Sequence, residues 1–279
     1  MKKKISHPYA LCLTVFAVCA AARIFEYYVL RTDQSPVAEN FLHKLFGIAV
    51  LAAVLKITGL ALKDIGFVKK RIADAAKGLC LGAICFAAAY SAEMLIHLAQ
   101  GSKPHLDFYA TGFSLDGSDV RQTGAAAVLL CILFNIINVL MEEGVFRGLF
   151  LTVTKPVSGM LKANLFAALL FGVWHWVMPM RSFTDGESSL GNLIVMGVGY
   201  VILSGIMSIK WGMMMELGGS LWTGLGDHLF NNVVATNLLH VVANGEADSL
   251  QIVRILLAQL LSFFAVLFVY LRKTKSKTE

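Results

Sequence analysis

Residues 125–153 read AAAVLLCILFNIINVLMEEGVFRGLFLTV, and this stretch decides the fold class. As an α-helix it would be about 44 Å long at a rise of about 1.5 Å per residue. The hydrocarbon core of a bilayer is about 30 Å thick and takes about 20 mostly apolar residues to cross. Residues 125–141 contain no charged side chain. The stretch therefore predicts a helix that spans a membrane.

The rest of the chain has the same character. Of its 279 residues, 57% are apolar and 15% are charged, and the mean hydropathy is +0.69, which is typical of integral membrane proteins. We predict an all-α, polytopic bundle with about eight transmembrane helices. The spans are residues 9–30, 45–62, 75–98, 125–153, 163–177, 190–209, 217–239 and 252–271. Seven spans remain an alternative, because 163–177 is short and only 210–216 separates the next two spans.

Loop charges predict the orientation, because Lys and Arg accumulate in cytoplasmic loops. Alternate loops carry the cations Lys2, Lys3, Lys4, Lys63, Lys69, Lys70, Arg71, Lys155, Lys162, Lys210, Arg272, Lys273, Lys275 and Lys277. The other loops carry the acids Asp33, Glu39, Asp107, Asp116, Asp119, Asp185, Glu187, Glu246 and Asp248. We expect both termini in the cytoplasm and a location in the plasma membrane. The excess of cytoplasmic cations and their attraction to anionic lipids account for the net charge of +6, so no nucleic-acid partner is expected.

Polar groups inside the spans mark the candidate site, because burying them in hydrocarbon is costly. They are Asn135, Asn138, Glu142, Glu143 and Arg147 on the fourth span, His175 on the fifth, and Asp227, His228, Asn231 and Asn232 on the seventh. Glu143 and Arg147 are four residues apart, which favours an ion pair along one helix face. Glu142 lies on a neighbouring face with Asn138 and has no cation of its own.

Three of these residues are predicted to lie at a similar depth in the membrane. Counted from the cytoplasmic ends at about 1.5 Å per residue, Glu142 lies about 16 Å deep, His175 about 19 Å and His228 about 16 Å. Three helices that carry polar groups at one depth predict a shared cavity. We expect Asp227 and Asn231, on a parallel row, to pack or support the site. Glu93 and His97 are interpreted as a surface or helix pair, and His7, His43, His105 and His240 receive no role.

The motifs Glu142-Glu143-Gly-Val-Phe-Arg147, Phe171-Gly-Val-Trp-His175 and His228-Leu-Phe-Asn-Asn232 resemble the three-motif signature of the CAAX-prenyl-protease and bacteriocin-processing family, the Abi or CPBP intramembrane proteases. The resemblance implies an intramembrane glutamate-type endopeptidase. It implies that Glu142 is the general base, that His175 helps to hold the water, and that His228 and Asn232 donate to the oxyanion. Glu143, Arg147, Asn138 and Phe171 would support these residues. The resemblance implies no cofactor.

The resemblance also divides the chain. Residues 1–124 would hold about three N-terminal transmembrane helices, residues 125–239 the catalytic core, and residues 240–279 the final transmembrane helix and a basic cytoplasmic tail. The substrate would be a peptide or protein that enters from the membrane or the cytoplasmic side, with membrane lipids around the bundle. The sequence leaves the oligomeric state open.

Three alternatives stay open at this point. Glu142, His175 and His228 could bind Zn²⁺, because two histidines, a carboxylate and a water form a catalytic zinc site. Against zinc, the chain has no His-Glu-x-x-His helix, the commoner pattern of zinc proteases. The polar faces could also line the pathway of a transporter. Finally, the chain could be a non-catalytic bacteriocin-immunity or scaffold protein that has kept the architecture.

Overall fold

A computed structural model of the chain describes residues 5–35, 39–111 and 121–276. The predicted cytoplasmic cations Lys2, Lys3, Lys4 and Lys277 and the predicted outer acids Asp116 and Asp119 lie outside these residues. The described chain is a bundle of long helices, which confirms the predicted all-α fold class. The helices are α1 (Pro8–Phe25), α2 (Leu42–Thr58), α3 (Ala75–Ala99), α4 (Ala125–Glu142), α5 (Leu151–Trp174), α6 (Val177–Thr184), α7 (Leu190–Gly218), α8 (Trp222–Phe230) and α9 (Gln251–Lys275).

Five described segments are long and apolar enough to cross a membrane: Pro8–Gln34, Leu62–Ala99, Ala125–Thr184, Leu190–Gly218 and Gln251–Lys275. Large apolar side chains cover the outside of the bundle; Ile84 on α3 and Val195 on α7 are 70% and 69% exposed. Exposed apolar surface on this scale marks a face that contacts lipid. The chain is therefore an integral membrane protein, but the predicted number of eight spans is not confirmed.

The fourth and fifth predicted spans form one nearly continuous helical segment that is interrupted at a single glycine. The helix that begins at Ala125 continues through a π-helical stretch, Glu143–Phe150, into α5. Gly159 then interrupts α5 with φ of +78° and ψ of 168°. Glycine adopts this left-handed backbone without the steric cost that a Cβ would bring. The break lets the chain turn, so that the second half of α5 carries His175 back into the bundle.

The predicted loop at residues 210–216 is wrong. Helix α7 runs without interruption to Gly218, and Gly219, with φ of +66°, ends it. Lys210 therefore lies inside a helix and is fully buried, with its Nζ 2.6 Å from Oδ2 of Asp227 on α8. The hydropathy pattern assigned Lys210 to the cytoplasmic surface because a lone cation usually ends a span, whereas here an acid from the next helix neutralises it.

Helix α8 packs against α3 at close range through two glycines. A Cβ on Gly78 would overlap the carbonyl oxygen of Thr223, and a Cβ on Gly226 would overlap the carbonyl oxygen of Ala75. Small residues let membrane helices approach until their backbones touch. This contact fixes the position of α8, which carries His228.

A small antiparallel sheet caps the end of the bundle near the start of α9. Strand β1 (His105–Phe108) pairs with β2 (Leu239–Ala243), with His105 opposite Val242, and β2 pairs with β3 (Glu246–Ala247). Behind the sheet, Arg254 is bound to Oε2 of Glu93 at 2.7 Å and to Oδ1 of Asp248 at 2.8 Å. Glu93 and His97 are both buried, so the surface part of their interpretation as a surface or helix pair is wrong, because α9 covers the face of α3 that carries them.

Candidate active site

One cavity inside the bundle collects most of the polar side chains predicted for the site. Glu142, His175, His228 and Asn232 line it, together with Asn138, Phe171 and residues from α1, α2 and α7. Its volume is about 130 Å³. A single water needs only about 10 to 15 Å³ of such volume, so several water molecules fit beside these side chains.

Two π-helical stretches contribute side chains to the cavity wall, and a third begins directly after Glu142, which lines it. Glu26–Leu30 follows α1, Glu143–Phe150 begins directly after Glu142, and Asn231–Leu238 follows α8. Wide turns of this kind inside α-helices are rare and are frequent at functional sites. They place motif side chains from α4 and α8 on the cavity wall while the helices themselves continue.

Two rings hold the carboxylate of Glu142. Nε1 of Trp174 donates a hydrogen bond to Oε1 at 2.9 Å, and Nε2 of His228 lies 3.5 Å from Oε2. The side chain is buried, and no lysine or arginine among the described residues forms an ion pair with it. The carboxylate is therefore oriented by an indole N–H while its other oxygen stays directed at the histidine.

Glu143 contacts both Arg147 and His228. The guanidinium of Arg147 donates to both carboxylate oxygens of Glu143, through Nε to Oε2 at 3.0 Å and through Nη2 to Oε1. Both side chains are fully buried. Oε1 of Glu143 also lies 2.9 Å from Nδ1 of His228. Glu142 and Glu143, which helical spacing assigned to separate faces, thus contact the two nitrogens of one imidazole.

The ring of His228 is held on its edge and on its face. Its Nδ1 faces a carboxylate oxygen, which can only accept, so Nδ1 carries a hydrogen. The indole of Trp211 stacks on the imidazole with centroids 4.0 Å apart and planes inclined by 15°. Nε1 of Trp211 in turn donates to Oδ2 of Asp227 at 2.7 Å, and Lys210 neutralises that carboxylate. Asp227 therefore supports the site from behind, in line with its predicted supporting role.

His175 presents one nitrogen to the cavity. Its Nδ1 lies 2.8 Å from the carbonyl oxygen of Phe171. Because a carbonyl only accepts, Nδ1 carries the hydrogen, which leaves Nε2 able to accept a hydrogen bond. The ring of Phe171 meets the imidazole edge to face at 4.7 Å and lies 4.1 Å from the guanidinium carbon of Arg147. Phe171 thus separates the buried Glu143–Arg147 pair from His175.

The comparison with protein families agrees with the motif order. The family model described as type II CAAX prenyl endopeptidase, Rce1-like, matches residues 124–234. These residues form an Rce1-like segment. The match confirms that residues 124–234 resemble the CAAX-type proteases, a family of hydrolases. No curated protein and no solved structure matches the chain.

The end of the Rce1-like segment carries two asparagines on the cavity wall. Nδ2 of Asn231 donates to Oδ1 of Asn232 at 2.9 Å, and Nε2 of Gln259 donates to Oδ1 of Asn231 at 3.0 Å. Asn231, which was expected to pack or to support the site, lines the cavity beside Asn232. Asn231 is three residues after His228 and Asn232 is four residues after it, and both spacings place side chains on one helix face. The spacing alone therefore does not decide which asparagine faces the cavity.

Several side chains at the cavity were not foreseen. Within the Rce1-like segment, Trp211 lines the cavity and Trp174 contacts Glu142. Outside the segment, the cavity is lined by Arg23 on α1, Tyr27 on the π-helical stretch after it, and His43 on α2. Arg23 did leave a signal, since an arginine inside an apolar span is costly and marks a site by default. The two tryptophans left none, because a large apolar ring in a span is the common case. His43 received no role, yet it is buried, and its Nδ1 lies 2.6 Å from Oε2 of Glu26.

The donor geometry bears on the zinc alternative. Within residues 5–35, 39–111 and 121–276, no three His, Cys, Asp or Glu side chains form a group arranged to hold a metal ion. Oε1 of Glu142 accepts from an indole N–H, and Nδ1 of both histidines is turned away to protein acceptors. Their Nε2 atoms and Oε2 of Glu142 are the atoms that remain to face a bound water.

Proposed function

We propose that this protein hydrolyses peptide bonds within the membrane by means of a water molecule activated by Glu142 and His175. The observation that carries the proposal is that Glu142, His175 and His228 line one cavity, with room for several water molecules, inside a bundle of membrane helices. The match of residues 124–234 to a CAAX endopeptidase family supports the same reaction. Peptide hydrolysis requires an activated water, stabilisation of the oxyanion, and a proton for the leaving amine.

Glu142 is the proposed general base. Its Oε1 is occupied by the Trp174 N–H, so Oε2 takes a proton from the water as the water oxygen attacks the scissile carbonyl carbon. Nε2 of His175 accepts a hydrogen bond from the other O–H of that water and so orients the water. The protonated Glu142 then returns its proton to the leaving nitrogen as the C–N bond breaks. The products are a carboxylic acid and an amine, which become a carboxylate and an ammonium group when the acid proton passes to the amine, and Glu142 is restored.

His228 and Asn232 are the proposed donors to the oxyanion. Nδ1 of His228 donates to Glu143, which directs Nε2 of the same ring towards Glu142 and the cavity. Asn232 uses its Oδ1 to accept from Asn231, which directs its NH₂ group away from that neighbour. Removing one such donor typically costs about 2.7 to 4 kcal/mol of transition-state stabilisation.

The proposed enzyme needs no metal. The donor arrangement supports direct activation of water, because no three His, Cys, Asp or Glu side chains among the described residues are grouped to hold a metal ion; zinc is the competing explanation. A chelator separates the two on purified protein: we expect unchanged peptidase activity. Loss of activity with the chelator, restored by added zinc, would favour the metalloprotease.

We further propose that substrates are membrane-associated peptides or proteins, with lipids around the bundle and no nucleic acid, and that both termini face the cytoplasm of a cell whose plasma membrane holds the protein. Lys155 on α5 contacts Glu216 on α7 at 2.5 Å, and Nζ of Lys273 on α9 donates to the Leu217 carbonyl at 2.9 Å. Lys155 and Lys273 therefore both lie at the C-terminal end of α7. Labelling of cysteines introduced at Lys155 and at Glu246 from one face of sealed vesicles tests this orientation.

The experiment that tests the reaction compares wild type with Glu142→Ala, His175→Ala and His228→Ala in detergent, on a library of internally quenched peptides. We expect cleavage by wild type and none by variants that retain the wild-type melting temperature. Solute flux without cleavage would indicate a transporter. Neither cleavage nor flux would leave an immunity or scaffold role.

A further inference from the structure

Arg23 is a buried cation without an acidic partner. It lies on α1, is 4% exposed, and lines the same cavity as Glu142. Its guanidinium carbon lies 4.5 Å from the ring centre of Trp174 and 5.2 Å from that of Tyr27. Nε and Nη1 are buried and have no hydrogen-bond partner.

The other buried cations among the described residues all have acids. These pairs are Lys44 with Glu39, Arg147 with Glu143, Arg181 with Asp33 and Asp185, Lys210 with Asp227, and Arg254 with Glu93 and Asp248. An unpaired buried charge is strongly destabilising, and arginine cannot shed its charge by losing a proton. Arg23 is therefore the buried lysine or arginine among the described residues that forms no ion pair, and its Nε and Nη1 are available to an anion in the cavity.

The stacking of Arg23 leaves its donors free for a planar anion. A guanidinium that lies flat on aromatic rings keeps its N–H edge available, and that edge matches the two oxygens of a carboxylate. Trp174 is the link to the chemistry, because the same indole that lies against Arg23 donates its N–H to Glu142. The guanidinium and the Glu142 carboxylate are therefore at most about 10 Å apart, which an extended peptide spans in a few residues at about 3.3 to 3.6 Å each.

We propose that Arg23 binds a carboxylate of the peptide substrate and so positions the bond to be hydrolysed at Glu142. The inference rests on the proposed peptidase function and adds a determinant outside the Rce1-like segment. The carboxylate comes either from a free peptide C-terminus or from an acidic side chain. Both sources offer the same two oxygens, and the experiment separates them.

The test uses the full-length protein in detergent and three quenched peptides of one sequence: the free acid, the C-terminal amide, and the amide with one internal glutamate. We expect wild type to cleave a carboxylate-bearing peptide about 10- to 100-fold better than the plain amide, as judged by kcat/KM, because hydrogen bonds to charged groups are among the strong ones. Arg23→Met should remove that preference, so that within the variant the ratio of kcat/KM for the carboxylate-bearing peptide to kcat/KM for the amide falls to about 1. Arg272→Met, which changes an exposed arginine on α9, is the matched control and should keep the preference.

The source of the carboxylate follows from which peptide wild type prefers. Preference for the free acid alone assigns the C-terminus, and preference for the internal glutamate assigns the side chain. Equal cleavage of all three peptides by wild type, or an equal loss on all three in Arg23→Met, overturns the inference. If Arg23→Met does not fold, Arg23→Lys takes its place: the charge remains but the planar fork is lost, and we expect the preference to fall to about 3- to 10-fold.

Binding distinguishes this inference from the proposed function. Anisotropy of the three peptides, each labelled at its N-terminus, is measured on Glu142→Gln and on the double variant with Arg23→Met. Tighter binding of a carboxylate-bearing peptide that depends on Arg23, without cleavage by wild type, would reject the peptidase and keep the anion site. If wild type cleaves the peptides but binds them equally tightly with and without the carboxylate, the anion site is rejected and the peptidase function is kept.

Discussion

Trp174→Phe isolates one contact of the proposed general base. The substitution removes the Nε1 hydrogen bond to Oε1 of Glu142, which is 2.9 Å long and buried, and keeps an aromatic ring under Arg23. A hydrogen bond to a charged group contributes about 1.5 to 3 kcal/mol. If that energy is lost in the transition state, kcat should fall about 10- to 150-fold. KM should change little, because the indole N–H contacts the enzyme's own carboxylate.

The assay is steady-state cleavage of a quenched peptide by purified protein in detergent, with melting temperatures measured alongside. Trp176→Phe is the control, since that tryptophan is two residues away and 45% exposed; it should behave as wild type. Wild-type kcat in a folded Trp174→Phe variant, while Glu142→Ala is inactive, would refute the claim that the indole orients the base. A fall of equal size in the control would point to a general effect on the helix.

Three further outcomes test the support of the site. Arg147→Met leaves a buried carboxylate without its guanidinium and should lower the free energy of unfolding by about 3 to 5 kcal/mol, measured by chemical denaturation; an unchanged denaturation midpoint would contradict it. Gly226→Val inserts a side chain into the backbone of α3 and should lower the melting temperature, whereas Gly199→Val, at an open position, should not; equal melting temperatures would argue against the close crossing. At Asp248, burial raises the pKa, but hydrogen bonds from His240 and Arg254 and their charges hold it below its ordinary value of 3.8. Its contribution to stability is therefore present above about pH 4 and lost as the pH falls through the lowered pKa. The difference in melting temperature between wild type and Asp248→Asn should be largest near pH 7 and shrink in acid, and a constant difference would contradict the pairing.

The fold class and the meeting of the three motifs follow from local sequence patterns. Apolar stretches such as residues 125–141 reveal membrane helices because hydrocarbon tolerates few polar groups. Equal depth along separate helices then brings Glu142, His175 and His228 to one level. Both deductions need only helix geometry and the thickness of a bilayer. The domain boundaries at 125 and 239 stay a prediction.

Ion pairs between residues on different helices could not be predicted from the sequence, because they depend on how the helices pack. Lys210 was interpreted as a loop cation, since nothing in its own helix neutralises it; Asp227 does so from the next helix. The contact of His228 with Glu143 likewise arises where α8 meets the end of α4. In both cases an expensive buried charge is balanced by a partner distant in sequence. A charged residue within an apolar stretch predicts such a partner without identifying it.

The central claim is that Glu142 makes a water molecule nucleophilic, and Glu142→Gln tests it most directly. Glutamine keeps the size of the side chain and can still accept from Trp174, but it cannot take a proton from water. We measure the single-turnover rate of peptide cleavage by wild type, by Glu142→Gln and by Glu216→Gln, a control at a surface ion pair. The account predicts that cleavage falls to background in Glu142→Gln and stays at the wild-type rate in the control. Cleavage by Glu142→Gln at the wild-type rate would contradict it.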